Sequence, residues 1–292
     1  MKKRKLLLIG KIPPPIGGVT IHVNRLLEKL EMFYSGKFCF KNLSKINIIL
    51  APYYLLKYPV FHLHSSNVYI RFYFAFLSKF LFSKCIITIH GDVGRYKNKY
   101  KNRLDENTLK LAEYPILLNS KSYNQSIILN DKSKLFSSFI PPNMETEDLN
   151  YEIKNKIIEF KTKYNQVFCT NAYNLSRDKY NQEIYGIFEI IAFFKINPAI
   201  GLVFSDPSGA YKEEFNRISF NLPSNILHIN QQHSFFEVLK LSNFSIRNTS
   251  TDGDSISVKE SLYLNKTTFC TNIVSRPKGV ILYERGQFHQ ML

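Results

Sequence analysis

Acidic residues are in short supply: 39 Lys and Arg stand against 23 Asp and Glu in 292 residues, a formal net charge of +16. The imbalance suits an anionic partner such as nucleic acid, an acidic membrane surface or a phosphorylated substrate. The basic residues are mixed with Asn, Ile, Tyr and Phe along the whole chain, so general composition accounts for the excess equally well. No nucleic-acid recognition motif accompanies the charge, and no nucleic-acid partner is expected. Cysteine is scarce too. Cys39, Cys85, Cys169 and Cys270 are far apart and form no C-x-x-C pair, which argues against a zinc site or a disulfide framework and fits a reducing cytosol.

Long hydrophobic runs are also missing. The basic N-terminus leads into a five-residue apolar run that stops at Gly10 before Pro13, Pro14 and Pro15, too short for the core of a signal peptide. The longest apolar stretch, residues 68–82, is interrupted by Arg71 and Lys79 and falls short of the ~18–20 residues that span a bilayer. Its aromatic part, residues 69–77, reads either as a membrane-surface element or, more simply, as a helix covering a parallel sheet. No repeat period or low-complexity segment stands out. The expected location is cytoplasmic, with peripheral contact at an anionic inner membrane face left open.

What is present is a globular composition, 45% hydrophobic and 21% charged, in a chain long enough for two domains. Residues 5–9 form a short apolar run. A Pro/Gly loop follows, then Val19, Val23, Leu26, Leu27 and Leu30 at helical spacing, which opens a βα unit. Strands are predicted at 60–63, 85–89 and 116–118, with helices at 67–82 and 121–129 and a polar loop from Gly91. Short apolar strands alternating with helices imply a mostly parallel, doubly wound sheet. Pro141, Pro142 and Asn143 cannot continue a helix or a ladder, and Glu145, Glu147 and Asp148 follow them. Domains are therefore expected at 1–143 and 151–292. The second contains strands at 167–170, 201–204, 226–229, 244–247, 267–270 and 280–283, and helices at 184–194, 210–218, 234–241 and 256–264.

Three segments can carry chemistry. The first is K-I-P-P-P-I-G-G-V-T, residues 11–20, where Gly17 and Gly18 would offer backbone amides to an anion at a helix N-terminus. It is neither G-x-G-x-x-G nor a P-loop, and a plain tight turn is the alternative. The second is T-S-T-D-G-D-S-I-S-V-K-E-S-L, residues 249–262, where a polar loop runs into a helix bearing Glu260. Amides near Gly253, Asp254 and Ser255 can bind hydroxyls or phosphate oxygens, and a helix carboxylate can accept two hydrogen bonds from a vicinal ribose diol. The alternative is a helix cap by Asp254 or Ser255 with Lys259 and Glu260 solvated. The third is His90-Gly91-Asp92 at a strand end, set against the structural role more common for a lone histidine; His62 and His64 read as partly buried strand residues.

The wording of these segments resembles the retaining family 4 glycosyltransferases of GT-B fold. P-P-P-I-G-G-V-T-I-H-V looks like that family's opening loop. Residues 249–262 look like its two-acid motif, with Asp252 where Glu is commoner and Glu260 eight positions on. Arg276-Pro277-Lys278-Gly279 is similar to a subset that builds bacterial surface polysaccharides. The resemblance implies an α/β fold of two Rossmann-like domains facing a central cleft, with an acceptor-side first domain and a donor-binding second. It implies Glu260 as the ribose ligand, Asp252 and His90 as candidate catalytic groups at the transferred sugar, and Gly17 and Gly18 near the donor. The family's Arg and Lys for the diphosphate have no clean match in N-A-Y-N-L-S-R-D-K-Y; Arg177 and Lys179, and Arg247 elsewhere, are chosen by chemistry.

The implied activity is transfer of a monosaccharide, with retention, from a nucleotide diphosphate sugar, UDP first, to a glycan or lipid-linked acceptor in lipopolysaccharide or capsule synthesis. No metal and no cofactor is expected, since helix N-termini and basic side chains can stabilise the leaving diphosphate. Family members ordinarily continue with further helices past the point reached at Leu292, so a shortened C-terminus is expected. A non-catalytic GT-B-like subunit that binds nucleotide or a partner glycosyltransferase is the alternative.

Overall fold

The computed structural model describes residues 5–143, 148–178 and 180–288. The chain divides into two compact units, Met1–Ile140 and Pro141–Leu292. In the first, β1 (Leu6–Gly10) is followed by α1 (Gly18–Tyr34), β2 (Phe38–Asn42), a 3₁₀ turn, α2 (Ala51–Lys57), β3 (Val60–His64) and α3 (Val68–Phe80). Then come β4 (Lys84–Ile89), α4 (Lys99–Leu111), β5 (Tyr114–Leu117), α5 (Ser120–Leu129) and β6 (Lys134–Leu135). All six strands are parallel, in the order β2-β1-β3-β4-β5-β6. The direction of winding reverses between β1 and β3, and in such sheets ligands bind outside the carboxyl ends of the strands at that reversal.

Asparagines start α3, α4 and α5. Asn67 accepts from the Tyr69 and Ile70 amides, Asn98 from Tyr100 and Asn119 from Ser122, each satisfying an amide that the first helical turn leaves unpaired. Helix α3 buries Phe74 and Ala75 against the sheet, whereas Tyr69, Phe76 and Phe80 are exposed. Arg71, one of the residues that interrupts this apolar stretch, is fully buried. Its guanidinium pairs with the Asp105 carboxylate of α4 and donates to the Ser65 carbonyl at 2.9 Å.

In the second unit, α6 (Tyr151–Lys163) precedes β7 (Val167–Asn171), α7 (Ile187–Ile196), β8 (Gly201–Ser205), α8 (Ala210–Arg217) and β9 (Ile226–Ile229). Then follow α9 (Phe235–Leu241), β10 (Phe244–Arg247), α10 (Ile256–Tyr263), β11 (Thr267–Thr271) and β12 (Ile281–Tyr283). Again all strands are parallel, ordered β12-β11-β10-β7-β8-β9. This is the doubly wound order of dinucleotide folds, with its switch point between β7 and β10.

Strand alternation builds a separate core on each face of this sheet. Phe168, Leu202 and Phe204 join Ile187, Ile190, Phe194, Tyr211 and Phe215 of α7 and α8 on one side. Val167, Cys169 and Val203 meet Ile153, Ile157 and Phe160 of α6 and Val238 and Leu239 of α9 on the other. Each fully buried side chain of this size contributes roughly 1.5–3 kcal/mol by leaving water. The two layers hold the carboxyl ends of β7 and β10 rigidly beside each other.

Candidate functional site

Helix α10 and strand β10 position the second unit's polar centre. Strand β10 ends at Arg247, and the loop after it carries Thr249, Asp252 and Gly253 before α10 begins. Arg247 donates through Nε to Asp252 Oδ2 at 2.9 Å and through a terminal nitrogen to Asn171 Oδ1 at 3.2 Å, at the end of the neighbouring β7. Its guanidinium lies 5.2 Å from the centroid of the Tyr185 ring. Arg276, from the loop after β11, donates to the same Asp252 oxygen at 3.0 Å and to Thr249 Oγ1 at 2.7 Å. Thr249 Oγ1 in turn donates to Asp252 Oδ2 at 3.2 Å. One carboxylate oxygen therefore serves two guanidinium groups and a hydroxyl at the sheet's switch point.

Burial opposes ionisation of Asp252, but the charges and hydrogen bonds of Arg247 and then Arg276 outweigh it and hold the carboxyl below the usual carboxylate range. A net surplus of positive charge remains, since one carboxylate faces two guanidinium groups. Asp254 is 2.5 Å from the Lys259 ammonium. Ser255 occupies the N-cap of α10, but its hydroxyl pairs with that of Ser257 at 3.1 Å and makes no cap bond. The expected alternative of a side-chain cap by Ser255 is absent. Gly253, Asp254 and Ser255 thus lead into a helix start with orphan amides and a positive dipole end. Glu260 is buried, 4% exposed, on α10.

Arg177 lies apart from this centre. It is exposed on a turn in which it bridges Glu183, and it donates to the Asn181 carbonyl at 3.1 Å. Lys179 lies outside the described residues. Arg276, Thr249 and Asn171 complete the centre without having been singled out as polar partners in the sequence. The only pointer to Arg276 was its place in Arg276-Pro277-Lys278-Gly279.

In the first unit, Gly17 caps α1 in an extended conformation, and its N–H is given to Thr20 Oγ1 at 2.9 Å. Thr20 Oγ1 donates to the Pro15 carbonyl at 2.7 Å. The loop is closed by its own threonine, so the Gly17 amide is engaged, while Gly18 is exposed with open space around its α-carbon. His90 follows β4 and sits beside His64 at the end of β3, His64 Nδ1 lying 3.1 Å from His90 Nε2. His22 of α1 completes a triangle of imidazoles. The partners of His90 come from an adjacent strand and from the helix after the first loop, and the parallel order β1-β3-β4 is what gathers them.

No helix among the described residues is long and apolar enough to cross a membrane. No family model matches the sequence, and no curated protein does. Among solved structures the chain is similar to HepE of Anabaena in complex with UDP-glucose, with a TM-score of 0.70 at 10% identity over 98% of this chain and 87% of that one. It is also similar to sucrose-phosphate synthase from Thermosynechococcus elongatus, with a TM-score of 0.68 at 12% identity over 99% and 88%. The lipopolysaccharide outer core galactosyltransferase WaaB gives 0.56 at 11% identity over 98% and 88%. These structures are glycosyltransferases of GT-B fold, and the fold of the present chain is of that kind: α/β, with two Rossmann-like domains.

Proposed function

We propose that the protein is a glycosyltransferase that takes its sugar from a UDP-sugar, bound by the second unit at the carboxyl edge of β7 and β10. The observation that carries the reading is the grouping of Arg247, Arg276 and the start of α10 around the half-buried, ionised Asp252. Two guanidinium groups against one carboxylate, beside an N-terminus with orphan amides, form a preorganised anion site that suits a diphosphate. Glu260, as a buried acceptor on the same helix, fits the vicinal diol of a ribose. The likeness to a protein crystallised with UDP-glucose supports the choice of nucleotide.

In the reaction the bond between the anomeric carbon and the diphosphate oxygen breaks, and an acceptor hydroxyl oxygen bonds to that carbon and releases its proton. The leaving diphosphate gains negative charge, which the guanidinium groups and helix amides stabilise without a metal at the donor. Retention of configuration and a glycan or lipid-linked acceptor in surface-polysaccharide synthesis belong to the same proposal, supported by the resemblance of residues 249–262 and 276–279 and by the likeness to WaaB. A second reading has one observation in its favour. Asp252 Oδ2 is already committed to Arg247, Arg276 and Thr249, which suits a subunit that binds nucleotide without transferring sugar.

A thermal-shift titration with UDP tests the site. UDP is expected to raise the melting temperature of the wild type and to lose that effect in Glu260→Gln and Arg247→Gln variants whose circular dichroism is unchanged. Equal protection in folded variants would sink the assignment. Mass spectrometry of products from UDP-sugars then separates the two readings, since the subunit binds UDP and forms no product.

A further inference from the structure

The three imidazoles of the first unit include His90, which the family resemblance sets at the transferred sugar, and form a constellation that the UDP site proposed in the second unit does not use. His22 projects from the second turn of α1, His64 is the last residue of β3, and His90 follows β4 directly. The register pairs His64 with Thr88, two residues before His90, so the two strand ends lie side by side at the edge where β1 and β3 diverge. The ring centroids are 5.3 Å apart for His22 and His64, 5.2 Å for His22 and His90, and 5.3 Å for His64 and His90, a nearly equilateral triangle. One ring nitrogen from each lies within 4.8 Å of the other two. Imidazoles bound near-tetrahedrally at metal–nitrogen distances of about 2.0–2.1 Å place their ring centroids roughly 5.2 Å apart.

The proton arrangement agrees. His22 Nδ1 is 2.7 Å from the Ser138 carbonyl, which can only accept, so Nδ1 carries the proton and the lone pair is on Nε2. A ring N–H fixed on a backbone carbonyl is the usual outer support of a metal-binding histidine. His64 is 1% exposed, and its Nε2 is buried with no hydrogen-bond partner. The nitrogen of His64 that faces the triangle is Nδ1, 3.1 Å from His90 Nε2. His62 stacks against His64 with centroids 4.1 Å apart and is itself anchored to Thr88 Oγ1 at 2.8 Å, so the His64 ring is held in place.

We propose that His22, His64 and His90 bind a single divalent transition-metal ion of the zinc class, with one coordination position left for solvent or an oxygen ligand. Imidazoles without carboxylates disfavour calcium and magnesium and suit zinc, cobalt or nickel. Two guanidinium groups oppose the ion at His90: Arg71, although paired with Asp105, and Arg95, beside Gly91. His90 is partly exposed. The bound ion would tie α1, β3 and β4 together at the sheet edge of the first unit.

Tag-free protein stripped with a chelator and titrated with Co²⁺ tests this. The expected result is one Co²⁺ per chain with the intense visible absorption of low-coordinate cobalt, lost on addition of one equivalent of Zn²⁺. His90→Gln and His22→Gln are expected to weaken Co²⁺ binding at least ~100-fold, and His228→Gln in the second unit to leave it unchanged. No stoichiometric binding by the wild type would overturn the proposal, as would unaltered binding by folded His90→Gln and His22→Gln proteins. Should those variants unfold, the wild-type stoichiometry and spectrum decide alone.

Discussion

Arg276 reaches back 24 residues to place a guanidinium nitrogen 3.0 Å from Asp252 Oδ2, the same oxygen that Arg247 holds at 2.9 Å. The side chains of the two arginines are only 3% and 11% exposed. Removing the carboxylate strands both charges. Asp252→Ala is expected to cost about 3–5 kcal/mol, the usual penalty for breaking a buried ion pair from one side, measured by urea unfolding. The pH dependence has a definite sign. The folded carboxyl is held below its ordinary value, so the stability it contributes is complete above about pH 4 and is lost as pH falls through the folded value. Asp252→Asn should remove that acid limb from the stability profile. An unchanged limb in the variant would show that Asp252 is not the group responsible.

The buried pair Arg71–Asp105 links α3 to α4 in the first unit. Asp105→Ala should destabilise by about 3–5 kcal/mol, whereas the double variant Arg71→Met/Asp105→Leu should recover most of the loss, because an apolar pair of similar volume avoids the desolvation of two charges. Chemical denaturation of the wild type and the two variants reads the recovery. A double variant no more stable than Asp105→Ala would mean that an unpaired buried Arg71 is not what the single variant suffers from.

These two pairs show where the sequence speaks clearly and where it does not. The strands at 60–63, 85–89, 167–170, 201–204, 226–229 and 244–247 were legible because each is a short apolar run closed by polar residues, and all lie in the sheets observed. Helix α4 was invisible: its sequence, KYKNRLDENTLKL, is mostly polar and buries only Leu104, Asp105, Thr108 and Leu109. Strand β2 was missed because FCFKN is partly exposed throughout and lacks a continuous apolar core. Helix α6 was hidden by its position after an irregular Pro-rich segment, although Ile153, Ile157 and Phe160 recur at helical spacing. In the site, the loop from Thr249 to Ser255 could be read locally, whereas Arg276, which completes it, depends on the register of β10 with β11. The histidine triangle was illegible for the same reason, since strand order assembles it.

Glycine conformation gives a comparison within one unit. Gly186 adopts φ +58°, and a Cβ there would lie 2.2 Å from Asn248 Nδ2 and 3.0 Å from the Asn248 carbonyl oxygen. Asn248 donates to the Gly186 carbonyl and to Glu189, and accepts from Tyr283 Oη at 3.0 Å. Gly209 adopts φ +74° but has only the Asn230 carbonyl at 3.6 Å, an ordinary contact. Gly209→Ala should therefore cost only the left-handed strain, about 1–2 kcal/mol. Gly186→Ala should cost clearly more, because the asparagine network must also shift. Thermal unfolding of the two variants side by side gives the ranking, and equal losses would show that the Asn248 network yields freely.

His233 supplies a titration that is independent of the donor centre and of the histidine triangle. Its Nδ1 faces the Gln231 carbonyl at 2.6 Å and must carry the proton, so Nε2 accepts from the Ser205 hydroxyl at 2.8 Å. A second proton would break the Ser205 bond and place a charge in a buried pocket. Burial lowers the histidine below its ordinary value, against the smaller opposing effects of the Gln231 carbonyl and Asp206. Below about pH 6.5 the unfolded chain then binds a proton that the folded chain refuses, and stability falls on acidification. Wild type should lose more stability between pH 7.5 and 5.5 than His233→Gln, by at most about 1.4 kcal/mol for each pH unit. Urea unfolding at the two pH values measures the difference, and parallel losses in both proteins would mean that His233 protonates in the fold as easily as in the unfolded chain.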